Sequence, residues 1–169
     1  MIYNHKTLIS LFSKKLSPIA VLLITAIIIA SCDPGRVYDE SREIPPAGWH
    51  KDSTAVFVTE MNDTVSTYDF YINLRHTTDY RYSNFYLFLN TFFPNQSMAR
   101  DTIELILADK TGEWQGSGFG SIKDLQVPVR KNLRFPVSGI YRFEIEQAMR
   151  QDTLRGINNI GIRIEKHQE

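Results

Sequence analysis

Between Thr54 and Glu165, apolar and polar residues alternate over one short stretch after another, each closed by turn-forming residues. Successive side chains on a strand point to opposite faces, so a two-residue period reads as strand and not as helix. In Thr67–Arg75 the residues Tyr68, Phe70, Ile72 and Leu74 share one face, with Asp69, Tyr71, Asn73 and Arg75 on the other. Thr54–Thr59 begins the series. Thr102–Ala108 sends Ile103, Leu105 and Leu107 inward, Gly139–Glu146 alternates cleanly, and Ile157–Glu165 sends in Ile160, Ile162 and Ile164. Asn84–Phe92 carries Phe85, Leu87 and Leu89 on one side but also Tyr86 and Phe88 opposite, which predicts a central strand covered on both faces over part of its length. In Leu125–Val129, Pro128 has no N–H to give a ladder, so it marks an edge strand or a bulge; Leu133–Pro136 comes next. Seven to eight short strands with turns about every ten residues predict an all-β, antiparallel β-sandwich, jelly-roll or immunoglobulin-like in order. A closed barrel is the competing architecture.

Upstream of the strands the chain has a different character. Lys6, Lys14 and Lys15 come first, with no acidic residue among them. The apolar run Ile19–Ala30 follows, and then Ile29-Ala30-Ser31-Cys32. A basic start, a short apolar stretch and a small-residue cut site make a secretory signal. A cysteine directly after the cut points to the lipoprotein branch, in which Cys32 carries diacylglycerol and a further acyl chain. The run is well short of the about 20 residues a spanning helix needs, and extending it backwards would bury Lys14 and Lys15. The expected organisation is therefore a signal peptide over 1–31, a lipidated cysteine with a flexible tether over 32–50, and the sandwich over 51–169. The tether reading rests on Asp33-Pro34-Gly35-Arg36 and Ile44-Pro45-Pro46-Ala47-Gly48, which are turn-forming and non-periodic.

The full chain has 19 basic and 19 acidic residues, and three of the lysines leave with the leader, so the mature protein is mildly acidic. That balance offers no electrostatic footprint for nucleic acid. Cys32 is the only cysteine, and its acylation leaves no thiol for disulfides, cysteine zinc sites or thiol catalysis.

Candidate chemistry is thin. The glycine-rich stretch Trp114–Gly120 lacks the following helix and the Gly-Lys-Ser/Thr of a phosphate loop, which leaves a loop between strands. Glu144 and Glu146 share one strand face at roughly 7 Å, a permissive spacing for an acid/base pair, but Arg142 flanks them on the same row. Asp101, Asp109 and Asp124 are oxygen donors without calcium-loop spacing, and Asp109-Lys110-Thr111-Gly112 reads as a turn. His50, His76 and His167 are scattered, and Ser117 lacks the context of a nucleophile elbow. Trp49, Trp114, Tyr80, Tyr82 and Tyr86 are the aromatic residues from which a sugar-stacking face would be built. No catalytic residue, cofactor or metal site is predicted, and the chain reads as a non-enzyme.

Arg75, Asp79-Tyr80-Arg81-Tyr82-Ser83-Asn84-Phe85-Tyr86-Leu87-Phe88, Asp101-Thr102-Ile103, Leu107-Ala108-Asp109 and Gly112-Glu113-Trp114-Gln115-Gly116 follow in an informative order. With Gly139-Ile140-Tyr141-Arg142-Phe143, Gln147-Ala148-Met149-Arg150, Leu154-Arg155-Gly156-Ile157, Gly161 and the lipobox cysteine, the mature chain resembles the gliding-motility lipoprotein family GldH of Bacteroidota. The resemblance implies a cell-envelope lipoprotein associated with the gliding machinery and type IX secretion, in a family not known for catalysis. Its partners would be the membrane, through the acyl chains, and other envelope or gliding-machinery proteins. The single acid Asp33 after the cysteine favours the outer membrane, with the side left open. A glycan-binding surface lipoprotein is the second reading.

Overall fold

Residues 35–168 are described by the computed structural model. The leader and Cys32 lie outside the described residues. Ten strands run in chain order: β1 Arg36–Glu43, β2 Trp49–His50, β3 Ala55–Met61, β4 Tyr68–Thr77, β5 Asn84–Phe92, β6 Met98–Ile106, β7 Ile122–Leu133, β8 Gly139–Gln147, β9 Thr153–Leu154 and β10 Ile157–Lys166. One sheet has the order β1-β10-β4-β7 and the other β3-β8-β5-β6, with β2 and β9 pairing as a small ribbon. Every pairing is antiparallel.

The alternation fixes which face each sheet buries. Phe70, Ile72, Leu74, Ile160, Ile162 and Ile164 of one sheet face Phe57, Phe85, Leu87, Leu105, Tyr141, Phe143 and Ile145 of the other, all in one buried cluster. Phe70 meets Phe143 across the gap with ring centroids 5.2 Å apart. At roughly 1.5–3 kcal/mol for each large apolar side chain removed from water, this shared layer dominates the fold's stability. The sandwich read from the sequence is what forms, as two separate sheets and not a closed barrel.

The longer strands are nested: β1 pairs with β10, β3 with β8, β4 with β7 and β5 with β6. One long antiparallel ribbon, turning at Phe93–Ser97, has thus been rolled so that its strands fall alternately into two sheets. That is jelly-roll order, which selects between the two orders the sequence left open. Pro128 sits on edge strand β7 and beside a register shift, so both readings of that proline hold.

The flexible tether expected over 32–50 needs correction. Arg36–Glu43 is a full edge strand, paired with β10 from Arg36↔Glu165 to Glu43↔Asn159 with one register shift between Arg36 and Tyr38. Ile44 and Trp49 are buried, and the Trp49 indole N–H donates to the Ser53 carbonyl at 2.8 Å. The folded unit therefore begins about fifteen residues before position 51. The cause is that backbone hydrogen bonds, and not a buried side-chain face, attach β1; its side chains are almost all exposed and show no period. Gly161 makes the fit close, since a Cβ there would lie 2.7 Å from the Glu40 carbonyl oxygen.

Candidate functional site

The outer face of the sheet β3-β8-β5-β6 carries the most organised polar cluster. Asn90 on β5 lies opposite Arg100 on β6, and Phe88 lies opposite Glu146 on β8, so cross-strand register gathers residues distant in sequence. Arg100 donates to the Asn90 side-chain oxygen at 2.9 Å and to the Glu146 carboxylate at 3.1 Å. The Asn90 amide closes the ring by donating to Glu146 at 3.0 Å. The same guanidinium stands 4.1 Å above the Phe88 ring, and Arg142 stands 3.9 Å above Phe92. The aromatic outer side of β5 is thus covered by cations, where the sequence implied a second layer.

This arrangement neutralises the paired acids. Glu146 is held by Arg100 and Asn90, and Glu144 by Arg142. The oxygen donors are likewise separated. Asp101 pairs with Arg130 at 3.1 Å, and Asp124 takes a bidentate contact from Arg75 at 2.7 and 3.1 Å. Asp109 accepts from the backbone N–H groups of Thr111 and Glu113 at 2.8 and 3.0 Å, the expected turn. The Thr111 hydroxyl and those amides hold its carboxyl below the usual carboxylate range. Among the described residues no three His, Cys, Asp or Glu side chains come together as a metal site.

The histidines stay apart. His50 is exposed beside Asp52, His167 contacts the Asp69 carboxylate at 2.8 Å, and His76 is sealed in the core. The aromatic candidates do not form one platform either. Trp49 and Tyr80 are buried, Trp114 packs on His76 with centroids 4.9 Å apart, and Tyr82 stands edge-on to Tyr80 at 5.6 Å. Tyr86 alone of the five is exposed, on the outer face of β5.

Sequence reasoning singled out the glycine-rich loop but not the exposed side chain at its tip. Gly116 and Gly118 have φ of 87° and 154°, and side chains there would collide with the Asp124 and Ile122 carbonyls. Glycine thus lets the loop lie against β7, where Ser117 and Asp124 exchange backbone hydrogen bonds of 3.0 and 2.7 Å. At its tip Phe119 is 97% exposed. A phenylalanine isolated between glycines, with no apolar partner at strand spacing, was the available signal. The Arg100–Asn90–Glu146 ring had no such signal, because it exists only in the register of three strands.

Comparison with known proteins follows the fold closely. A family model described as GldH lipoprotein matches residues 36–164, from the first residue of β1 into β10. The gliding motility lipoprotein GldH homolog of Christiangramia forsetii is 40% identical over 153 residues, covering 86% of this chain and 93% of that protein. The gliding motility lipoprotein GldH of Flavobacterium johnsoniae is 33% identical over 153 residues, covering 86% of this chain and 94% of its own. Among solved structures, the VP2 subviral particle of infectious bursal disease virus is similar at 12% identity and a TM-score of 0.32. That match covers 78% of this chain but only 30% of the viral one, and is too slight to bear on fold or function.

Proposed function

The chain belongs to the GldH lipoprotein family, a family of gliding-motility lipoproteins, and from that premise we propose that it is a non-catalytic, lipid-anchored envelope component working by contact with other proteins. Those contacts serve gliding motility and the type IX secretion-associated machinery of the envelope. Cys32 is the anchor, acylated after removal of 1–31, and the outer membrane is where it holds. At about 0.8 kcal/mol per buried CH₂, one acyl chain binds marginally while two or three hold firmly. Confinement to a membrane plane raises the effective concentration of the domain for partners in that plane.

The observation that carries this reading is the extent of the family match. It runs from β1 into β10, so the likeness is to the whole jelly roll and not to a patch grafted on it. Phe119 supports action by contact. A nearly fully exposed aromatic on a loop pinned to β7 is the kind of side chain that fills a pocket on a partner.

Two variants in the native host test the proposal. Cys32→Ala is expected to move the protein from the membrane to the soluble fraction and to abolish fatty-acid labelling; retention with label would overturn the anchor. Phe119→Ala is expected to leave protein level and melting temperature unchanged, because an exposed substitution costs within about 0.5 kcal/mol. It should nonetheless weaken motility or secretion, and wild-type behaviour would remove Phe119 from the contact surface.

A further inference from the structure

The two sheets do not close on the side where edge strands β6 and β7 face each other. A recess of about 370 Å³ opens there, lined by apolar groups from both sheets, with Asp101, Arg130 and Arg134 among its polar neighbours. Its origin is local. Opposite Phe70 the ladder between β4 and β7 slips twice, on either side of the Phe70↔Arg130 pair, and each bulge carries β7 away from an even register. The slip is fixed in place: Asn132 has φ of 54°, and its N–H donates to the Asp69 carboxylate at 2.9 Å.

We propose that this recess binds a single-chain amphiphile with an anionic head group, its chain lying over the part-exposed Phe93, Ala99, Val129 and Leu133 and its head meeting Arg134. Three observations converge on that chemistry. The volume falls within the roughly 300–1,000 Å³ of small-molecule sites. The interior also disfavours polar ligands. The Tyr141 hydroxyl already donates to the Val137 carbonyl at 2.7 Å, so a sugar or nucleotide would bury polar groups without partners. The rim carries one uncompensated cation. Asp101 engages Arg130 at 3.1 Å, while Arg134 is exposed and makes no hydrogen bond or ion pair among the described residues.

A fatty carboxylate and a lysophospholipid share this chemistry, and the experiment separates them. A myristate analogue bearing a diazirine and an alkyne is photolysed with the full-length protein in membranes from producing cells, and adducts are mapped by mass spectrometry. Adducts are expected on recess residues, displaced by unlabelled myristate if the ligand is a free carboxylate, or by lysophosphatidylglycerol if it is a lysolipid. Arg134→Glu, an exposed change that leaves the fold intact, should lower the yield about fivefold. The methyl ester of the probe should be unaffected by it. Ala99→Phe, which fills the recess from β6, should block both probes. Adducts confined to the outer surface would overturn the proposal and leave the recess to an apolar side chain of another protein. Yields indifferent to Arg134→Glu, or displacement by neither competitor, would overturn it equally.

Discussion

His76 shows how much a single residue can carry out of sight of the pattern that placed it. The alternation of β4 sends it inward, and it is 0% exposed. Its Nδ1 lies 2.9 Å from the Thr77 carbonyl, so that nitrogen is the donor, and Nε2 has no partner among the described residues. Burial is the main reason its pKa lies below the ordinary 6.5, with Lys123 adding to the effect and Thr77 and Asp124 opposing it. The folded state therefore binds fewer protons than the unfolded state wherever the unfolded imidazole titrates. Stability from this residue is complete above about pH 6.5 and is lost as pH falls from there through the lower folded value. Denaturant melts across that window should show the decline, and His76→Phe should flatten it. A second effect lies at more acid pH. Burial disfavours the Asp69 carboxylate, but the Asn132 N–H and His167 outweigh it and hold the pKa below 3.8, so its contribution disappears only as pH drops beneath that value. On the outer face, Arg100→Ala removes an ion pair and a ring contact together, at a cost of about 1 kcal/mol. A double-mutant cycle with Glu146→Ala should show coupling; additive losses would mean that the ring is ornamental. Sequence spacing brought Glu144 and Glu146 together but could not show that both were already paired.

At the scale of elements, β1 is where pattern reading failed for a physical reason. Its attachment is a ladder, and ladders leave no periodic mark when neither face of the strand is buried. Gly161→Ala tests this, because the added methyl meets the Glu40 carbonyl oxygen at 2.7 Å. The expected cost is about 1–3 kcal/mol, with hydrogen-exchange protection lost over 36–43 and kept in β8 and β5. Unchanged protection there would show that β1 is not held by this close approach. β2 and β9 were illegible for a simpler reason, since two residues cannot display a period. Strands with one buried face, such as β4, β8 and β10, were legible almost to the residue. Pro128 limited β7 to an edge strand or a bulge, and the structure has both.

For the whole molecule, the sandwich was readable because each alternation demands a second apolar face to cover it. The choice of jelly-roll order was not, because β1–β10, β3–β8, β4–β7 and β5–β6 are pairings across long stretches of chain that no local pattern encodes. Family membership joins this rolled ribbon to gliding-motility lipoproteins. The proposed function then turns on one covalent feature, acylation of Cys32 as the means of holding the sandwich at the envelope. Intact-mass and peptide mass spectrometry of the protein purified from its native host measure that feature directly. The account predicts an N-terminal peptide that begins at Cys32 and carries diacylglyceryl and acyl groups. A bare Cys32 thiol, or a mature chain that retains residues of 1–31, would contradict it.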